Sequence, residues 1–157
     1  MCFMRPALLD AGRGRIGRTA ERRIATQENA MSTELTMLVW SLALTFVQML
    51  VAATGATLQR IVADKSDNRD VLPHTGWPGR ARRAHLDMIE NMFLFAPLIF
   101  IADIAGRDDR MTEIGTQLFF WSRLAYAIAY IAGVPRLPTA IWSASAAAMA
   151  LIFVQLL

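Results

Sequence analysis

The sequence predicts an all-α protein, an integral membrane four-helix up-down bundle. Three observations carry that reading. The chain is 55% hydrophobic with a positive mean hydropathy, above the apolar share of an ordinary soluble domain. Four apolar segments follow one another between residues 35 and 157. The basic residues of the connections fall mostly on one side of the bundle they would form.

The first segment, residues 35–58, carries no charge over 24 residues, and about 20 residues of helix cross a bilayer core. Its helix is expected to begin near Ser32 or Thr33, either of which can cap it, and to run to about Ile61. The connection DKSDNRDVLPHTGWPG is polar, and Pro73, Gly76, Pro78 and Gly79 break it, so it reads as a surface loop. A second helix is expected from near Arg80 to Gly106. Its apolar part, residues 92–102, is short and needs the preceding turns to span.

GRDDR then makes a tight turn, and a third helix runs from about Thr112 to Ala132 with one interior charge, Arg123. GVPRLP is a rigid second turn, and residues 137–157 form an uncharged fourth helix. Short second and third connections make neighbouring helices antiparallel. Within helix four, SASAAAMA offers small faces such as Ser143 with Ala147, which permit close helix contact in lipid; alanine-rich filler is an equal alternative.

Loops one and three share one side, opposite both ends of the bundle. That side carries Arg60, Lys65, Arg69, Arg80, Arg82, Arg83 and Arg136, whereas the other carries Arg107 and Arg110. Positive residues favour the cytoplasm, so the 60–83 loop is expected to be cytoplasmic with both termini outside. Residues 1–30 hold six arginines against three acidic residues and so contain the whole net charge of +3. They lack the apolar core of a signal peptide. A disordered arm, a targeting arm and an upstream start assigned too early all fit. The last is preferred, because nothing in the segment offsets the entropy of ordering it. The domain is accordingly placed at residues 31–157. Without aromatic interleaving, the arginines do not predict a nucleic-acid partner.

The single cysteine, Cys2, rules out an intrachain disulfide and a thiolate metal site, and no metal is expected. Sulfur chemistry would have to come from a ligand.

Ionisable groups enter the second and third helices in register. On a 3.6-residue helix Arg83, Asp87, Glu90, Asn91 and Leu94 fall within roughly a 100° arc, leaving Ala84, Met88 and Phe95 on another face. On helix three, Phe119, Arg123, Tyr126 and Tyr130 share a face by the same arithmetic. A charge midway along a span costs several kcal/mol even on the gentler insertion scales unless paired or wetted, so Arg123 is expected to meet Glu90 or Asp87. That contact is read equally as a structural clamp or as part of a site. Arg83, Asp87, Tyr126 and Tyr130 gather at the cytoplasmic end. Arginine reads a carboxylate, an acidic group reads an amine, and tyrosine hydroxyls donate to a thiolate or oxyanion, which suits a small zwitterionic ligand. An interfacial belt is the alternative for the tyrosines.

R-x-x-R-A-x-x-x-x-x-E-N, present as Arg80, Arg83-Ala84 and Glu90-Asn91 and followed by M-F-L-F, resembles the membrane-associated proteins in eicosanoid and glutathione metabolism, the MAPEG family. R-L-x-Y-x-x-x-Y, present as Arg123, Leu124, Tyr126 and Tyr130, is similar to the same family's third-helix signature. The resemblance covers residues 33–157 and is to bacterial-type members, placing the protein in a bacterial inner membrane or its equivalent. It implies a homotrimer with glutathione as co-substrate between protomers near the cytoplasmic surface, and a hydrophobic small-molecule substrate reaching it from the lipid bilayer. Arg83 and Glu90 would hold the tripeptide, with Asp87, Asn91, Arg123 and Tyr126 completing the binding set. An arginine at the start of helix four is credited with stabilising the thiolate, a role for Arg136 with help from Tyr130.

Two positions depart from the family pattern: Asp87 stands where asparagine is usual, and Pro138 stands where bacterial relatives often have the arginine. The leading expectation is a glutathione-dependent transferase or peroxidase acting on lipophilic electrophiles. The alternative is a non-catalytic lipid-binding or scaffold protein of the same fold. A small transporter is disfavoured by the lack of repeat symmetry.

Overall fold

The structure, a computed structural model, describes residues 31–63, 75–107 and 109–157. Residues 1–30 and residues 64–74 of the 60–83 loop, with the readings attached to them, lie outside the described residues. From Thr33 onward the chain forms one unit of four helices, with no strand among the described residues. They are α1 (Thr33–Ala63), α2 (Gly76–Ile104), α3 (Arg110–Ala132) and α4 (Leu137–Leu156). α1 pairs most closely with α2, and α3 with α4; α1 and α4 make no close backbone approach to each other. Consecutive helices run antiparallel: Gln59 lies by Thr75 and Gly55 by Pro78, Arg83 by Tyr130 and Phe95 by Phe119, and Arg107 by Gln155.

The helix ends show why the boundaries fall where they do. α2 starts at Gly76, four residues before Arg80, so Pro78 and Gly79 belong to its first turn and not to a loop. The first amides of a helix have no partner within it, so a proline there removes no hydrogen bond. α3 starts behind Asp109, whose carboxylate accepts from the amides of Met111 (3.1 Å) and Thr112 (2.9 Å). It ends on Gly133 at φ +81°, a left-handed cap that suits glycine.

Two helices, α1 and α4, are long and apolar enough to cross a membrane. α2 and α3 carry the charged stripes, which is why composition alone singles out only the outer pair. The bundle is apolar outside and partly polar inside. Phe93, Trp121 and Phe46 lie 79%, 60% and 57% exposed, whereas Glu34, Ser41, Gln48, Asn91, Thr116 and Arg123 are buried. A monomer in water seldom displays so much apolar surface. The hydroxyls inside are satisfied locally, as Ser41 donates to the Met37 carbonyl (2.8 Å) and Ser122 to that of Leu118 (2.6 Å). Burying them therefore leaves little desolvation uncompensated.

The core is centred on Phe95 and Phe119, stacked with centroids 3.8 Å apart and 11° between planes, with Met88, Ile99 and Ile152 around them. α3 and α4 approach closely at Gly115, where an added Cβ would stand 2.7 Å from Ile152 Cγ1 and 3.3 Å from the Ala148 carbonyl oxygen. Gly115→Ala is expected to lower the thermal midpoint in detergent although alanine is the better helix former. Combined with Ile152→Ala, which removes the obstructing atom, it should do little additional harm. The amide and hydroxyl of Thr112 hold the Asp109 carboxyl below its ordinary value of 3.8. A depressed folded-state value means that this contribution is present above pH 3.8 and lost as pH falls through the folded value. The acid-induced fall in melting midpoint should be smaller in Asp109→Asn.

Candidate functional site

α2 and α3 bring six of the eight anticipated residues into one contiguous group. At its open end Arg83, exposed, donates from Nε to the Tyr130 hydroxyl at 3.3 Å. Tyr130, half-buried, stacks on Tyr126 with centroids 5.3 Å apart and 24° between planes. Tyr126 is 8% exposed, and the Arg123 guanidinium carbon lies 4.8 Å from its ring centroid, within cation–π range. Arg123, 1% exposed, forms an ion pair through Nη2 with Asp87 and donates from Nε to the Met88 sulfur at 3.5 Å. Asn91, buried, donates to the Asp87 carbonyl at 2.7 Å.

The order of these contacts follows from helical spacing. On α3, Arg123, Tyr126 and Tyr130 succeed one another at intervals of three and four residues and so climb one face. On α2, Arg83, Asp87 and Asn91 lie four apart and meet that face from the opposite direction. The result is a polar seam graded from an exposed arginine at one end to an enclosed arginine at the other. Of the two acidic partners considered for Arg123, the pair forms with Asp87. Glu90 lies across the arc from the buried face of α2 (Ala84, Met88, Phe95) and is exposed on the protomer. Asp87 stands nearer that face, with its side chain 24% accessible.

Arg136 and Glu90 are not joined to the seam by any hydrogen bond or ion pair among the described residues. Arg136 is exposed in the α3–α4 turn. The Leu137 amide donates to the Pro135 carbonyl at 2.7 Å, closing a three-residue turn around Arg136, whose φ is +65°. This is the rare, strained form of γ-turn, and Pro138 follows it at the start of α4. Among the described residues Arg136 is the one non-glycine position with a positive φ.

Arg123 keeps an unsatisfied donor: its Nη1 is buried with no hydrogen-bond partner, as are the Gln48 side-chain oxygen and His85 Nδ1. Gln48 belongs to a stripe on α1 that the charge-free reading of residues 35–58 passes over: Leu38, Ser41 and Gln48 are all buried on one face. Their spacing of three and seven residues, which keeps one helix face, was the available signal. Among the described residues no group of three or more His, Cys, Asp or Glu could hold a metal ion.

The arrangement can bind an anionic or zwitterionic group at its open end. Arg83 uses only Nε on Tyr130, leaving its two Nη groups for a carboxylate. Because Tyr130 accepts from Arg83, its own hydroxyl proton is left to donate. Arg123 is too enclosed to meet a ligand directly and supports the seam from behind.

The model of the MAPEG family matches residues 35–157, most of the chain. No curated protein matches the chain significantly.

Asp87→Ala should destabilise the protein by about 3–5 kcal/mol, because it strands a buried guanidinium. Adding Arg123→Met, apolar and similar in length, should recover a large part of that loss. Thermal unfolding of the single and double variants in one detergent measures both effects.

Proposed function

The chain belongs to the MAPEG family, and on that premise we propose that it is a multi-pass membrane protein that binds glutathione and transfers it to, or uses it to reduce, lipophilic electrophiles. The observation that carries this reading is the graded seam from Arg83 through Tyr130 and Tyr126 to Arg123 and Asp87. Such a seam offers a cationic mouth, a hydroxyl donor behind it and a rigid, neutralised base.

In this reading Arg83 takes a glutathione carboxylate in a charge-assisted bond. Tyr130, polarised by Arg83, donates a hydrogen bond to the sulfur, its proton staying on the hydroxyl, and so favours the thiolate form. Glutathione supplies the thiol nucleophile. Asp87 serves first as counterion to Arg123, and its accessible edge is the candidate partner for the glutathione amine. Pairing with Arg123 balances the charge of the carboxylate that stands where the family usually has asparagine. Glu90 and Asn91 complete the binding set, Asn91 by holding the backbone of Asp87 and Glu90 from the outward face of α2. That outward face, with Glu90, Phe93 and Leu94 exposed, is the surface through which protomers of a homotrimer would meet. The bilayer delivers the acceptor, and the two apolar outer helices with the apolar exterior support insertion.

A second reading is favoured by one observation. Arg136, the candidate thiolate stabiliser, stands apart from the seam in its γ-turn with Pro138 beside it. A protein that binds glutathione or lipid without turnover would show this separation.

Titration of the detergent-purified protein with glutathione, read by calorimetry and by thiolate absorbance, distinguishes the two. Arg83→Ala should weaken binding by about tenfold to a hundredfold, the effect of losing one hydrogen bond to a charged group. Tyr130→Phe should bind glutathione with less thiolate. Binding unchanged in both Arg83→Ala and Glu90→Gln removes the site assignment, and binding without conjugation of a generic electrophile favours the second reading.

A further inference from the structure

The motif R-x-x-R contains two arginines, and only Arg83 belongs to the seam. Arg80 lies one turn earlier on the same helix and reaches the same end of α3. Its Nε donates to the Ile131 carbonyl at 3.0 Å. α3 ends at Ala132, so its last carbonyls have no helical partner. The amides of Gly133 and Val134 satisfy those of Ala129 and Tyr130, at 3.1 Å each. The Ile131 carbonyl is met by Arg80 instead.

Gly133 makes room for this contact. A Cβ at that position would stand 3.2 Å from Arg80 Cζ and 3.3 Å from its Nε, in a backbone conformation (φ +81°) that disfavours side chains in any case. The first turn of α2 is also fixed from its other side. A Cβ on Gly55 of α1 would lie 2.9 Å from Pro78 Cβ and 3.0 Å from the Trp77 ring, and Gln59 donates to the Thr75 carbonyl at 2.9 Å. Arg80 is thus anchored to a rigid turn and grips a carbonyl adjacent to Tyr130.

We infer that Arg80 is a positioning residue for the site: it clamps the backbone after Tyr130, so that Arg83, three residues along the same face, meets the Tyr130 hydroxyl. The spacing of the two arginines follows from this division of labour. One turn of α2 separates a group that holds the backbone of α3 from a group that engages its side chain. The clamp also fixes Gly133, three residues before Arg136, and therefore where the γ-turn leaves the bundle.

The chain has two tyrosines, Tyr126 and Tyr130, so 3-fluorotyrosine labelling of the full-length protein gives two fluorine resonances, assigned with Tyr130→Phe. Arg80→Lys keeps the charge but has no donor at the Nε position. It should move the Tyr130 resonance in the direction that Arg83→Ala moves it, with a smaller change at Tyr126. Gly133→Ala, which displaces Arg80 from the other side, should do the same. A Tyr130 resonance unmoved in both variants overturns the inference, and so does collapse of both resonances to the unfolded position, which would make Arg80 a general stability residue. This readout is independent of the ligand. The proposed function adds that glutathione affinity falls several-fold in the same variants. A shifted Tyr130 with unaltered glutathione affinity leaves the clamp standing and counts against glutathione at this site.

Discussion

A fully enclosed arginine between two central helices is the constraint to which the rest of the structure conforms. Arg123 on α3 is 1% exposed, and its guanidinium is paired with Asp87 on α2. Leaving this enclosed guanidinium without its partner would cost about 3–5 kcal/mol, so the two helices can adopt few registers other than the one that joins this pair. Once it is set, Phe95 and Phe119 stack on one side of it, and Arg83 meets Tyr130 on the other. Sliding α2 by one turn would separate all three contacts together. A buried ion pair adds little net stability, because desolvating both charges offsets much of their attraction.

The outer helices answer a different requirement. α1 and α4 present apolar surfaces outward and carry uncharged side chains such as Leu38, Ser41, Ser145 and Ile152 inward. Glycines at the contacts, Gly55 against Trp77 and Pro78 and Gly115 against Ile152, let backbones approach where lipid would supply no hydrophobic drive for association. Polar character is therefore concentrated in the seam between α2 and α3, and only its Arg83 end is open. The gradient from exposed to enclosed along that seam separates residues able to touch a ligand from residues that hold them. Arg83 and Tyr130 belong to the first kind, Arg123 and Asn91 to the second.

Much of this was legible in the residues. The four helices, their antiparallel connections and the alignment of Arg83, Asp87 and Asn91 against Arg123, Tyr126 and Tyr130 follow from hydropathy and helical spacing, and the family match over residues 35–157 agrees with the motifs that suggested it. What was not legible depended on contacts between elements. Arithmetic along one helix places Asp87 and Glu90 on a common arc, and only the packing face of α2 decides that Asp87 turns inward. Pro78 and Gly79 read as loop residues because breakers are harmful inside a helix, yet the first turn tolerates them. The polar face of α1 was hidden by a search for charges, since Ser41 and Gln48 carry none. The γ-turn at Arg136 arises from a backbone hydrogen bond that no side-chain pattern signals.

If the seam is the functional centre, chemistry at its open end depends on a pair whose arginine a ligand never touches. The most direct test is an electron-microscopy structure of the protein in lipid nanodiscs at a resolution that shows side chains. The account predicts continuous density between Arg123 and Asp87 inside the bundle, with Tyr126 and Tyr130 stacked beside it and Arg83 on the Tyr130 hydroxyl. Density that places the Arg123 guanidinium toward lipid, or joins it to Glu90 with Asp87 turned outward, would contradict it.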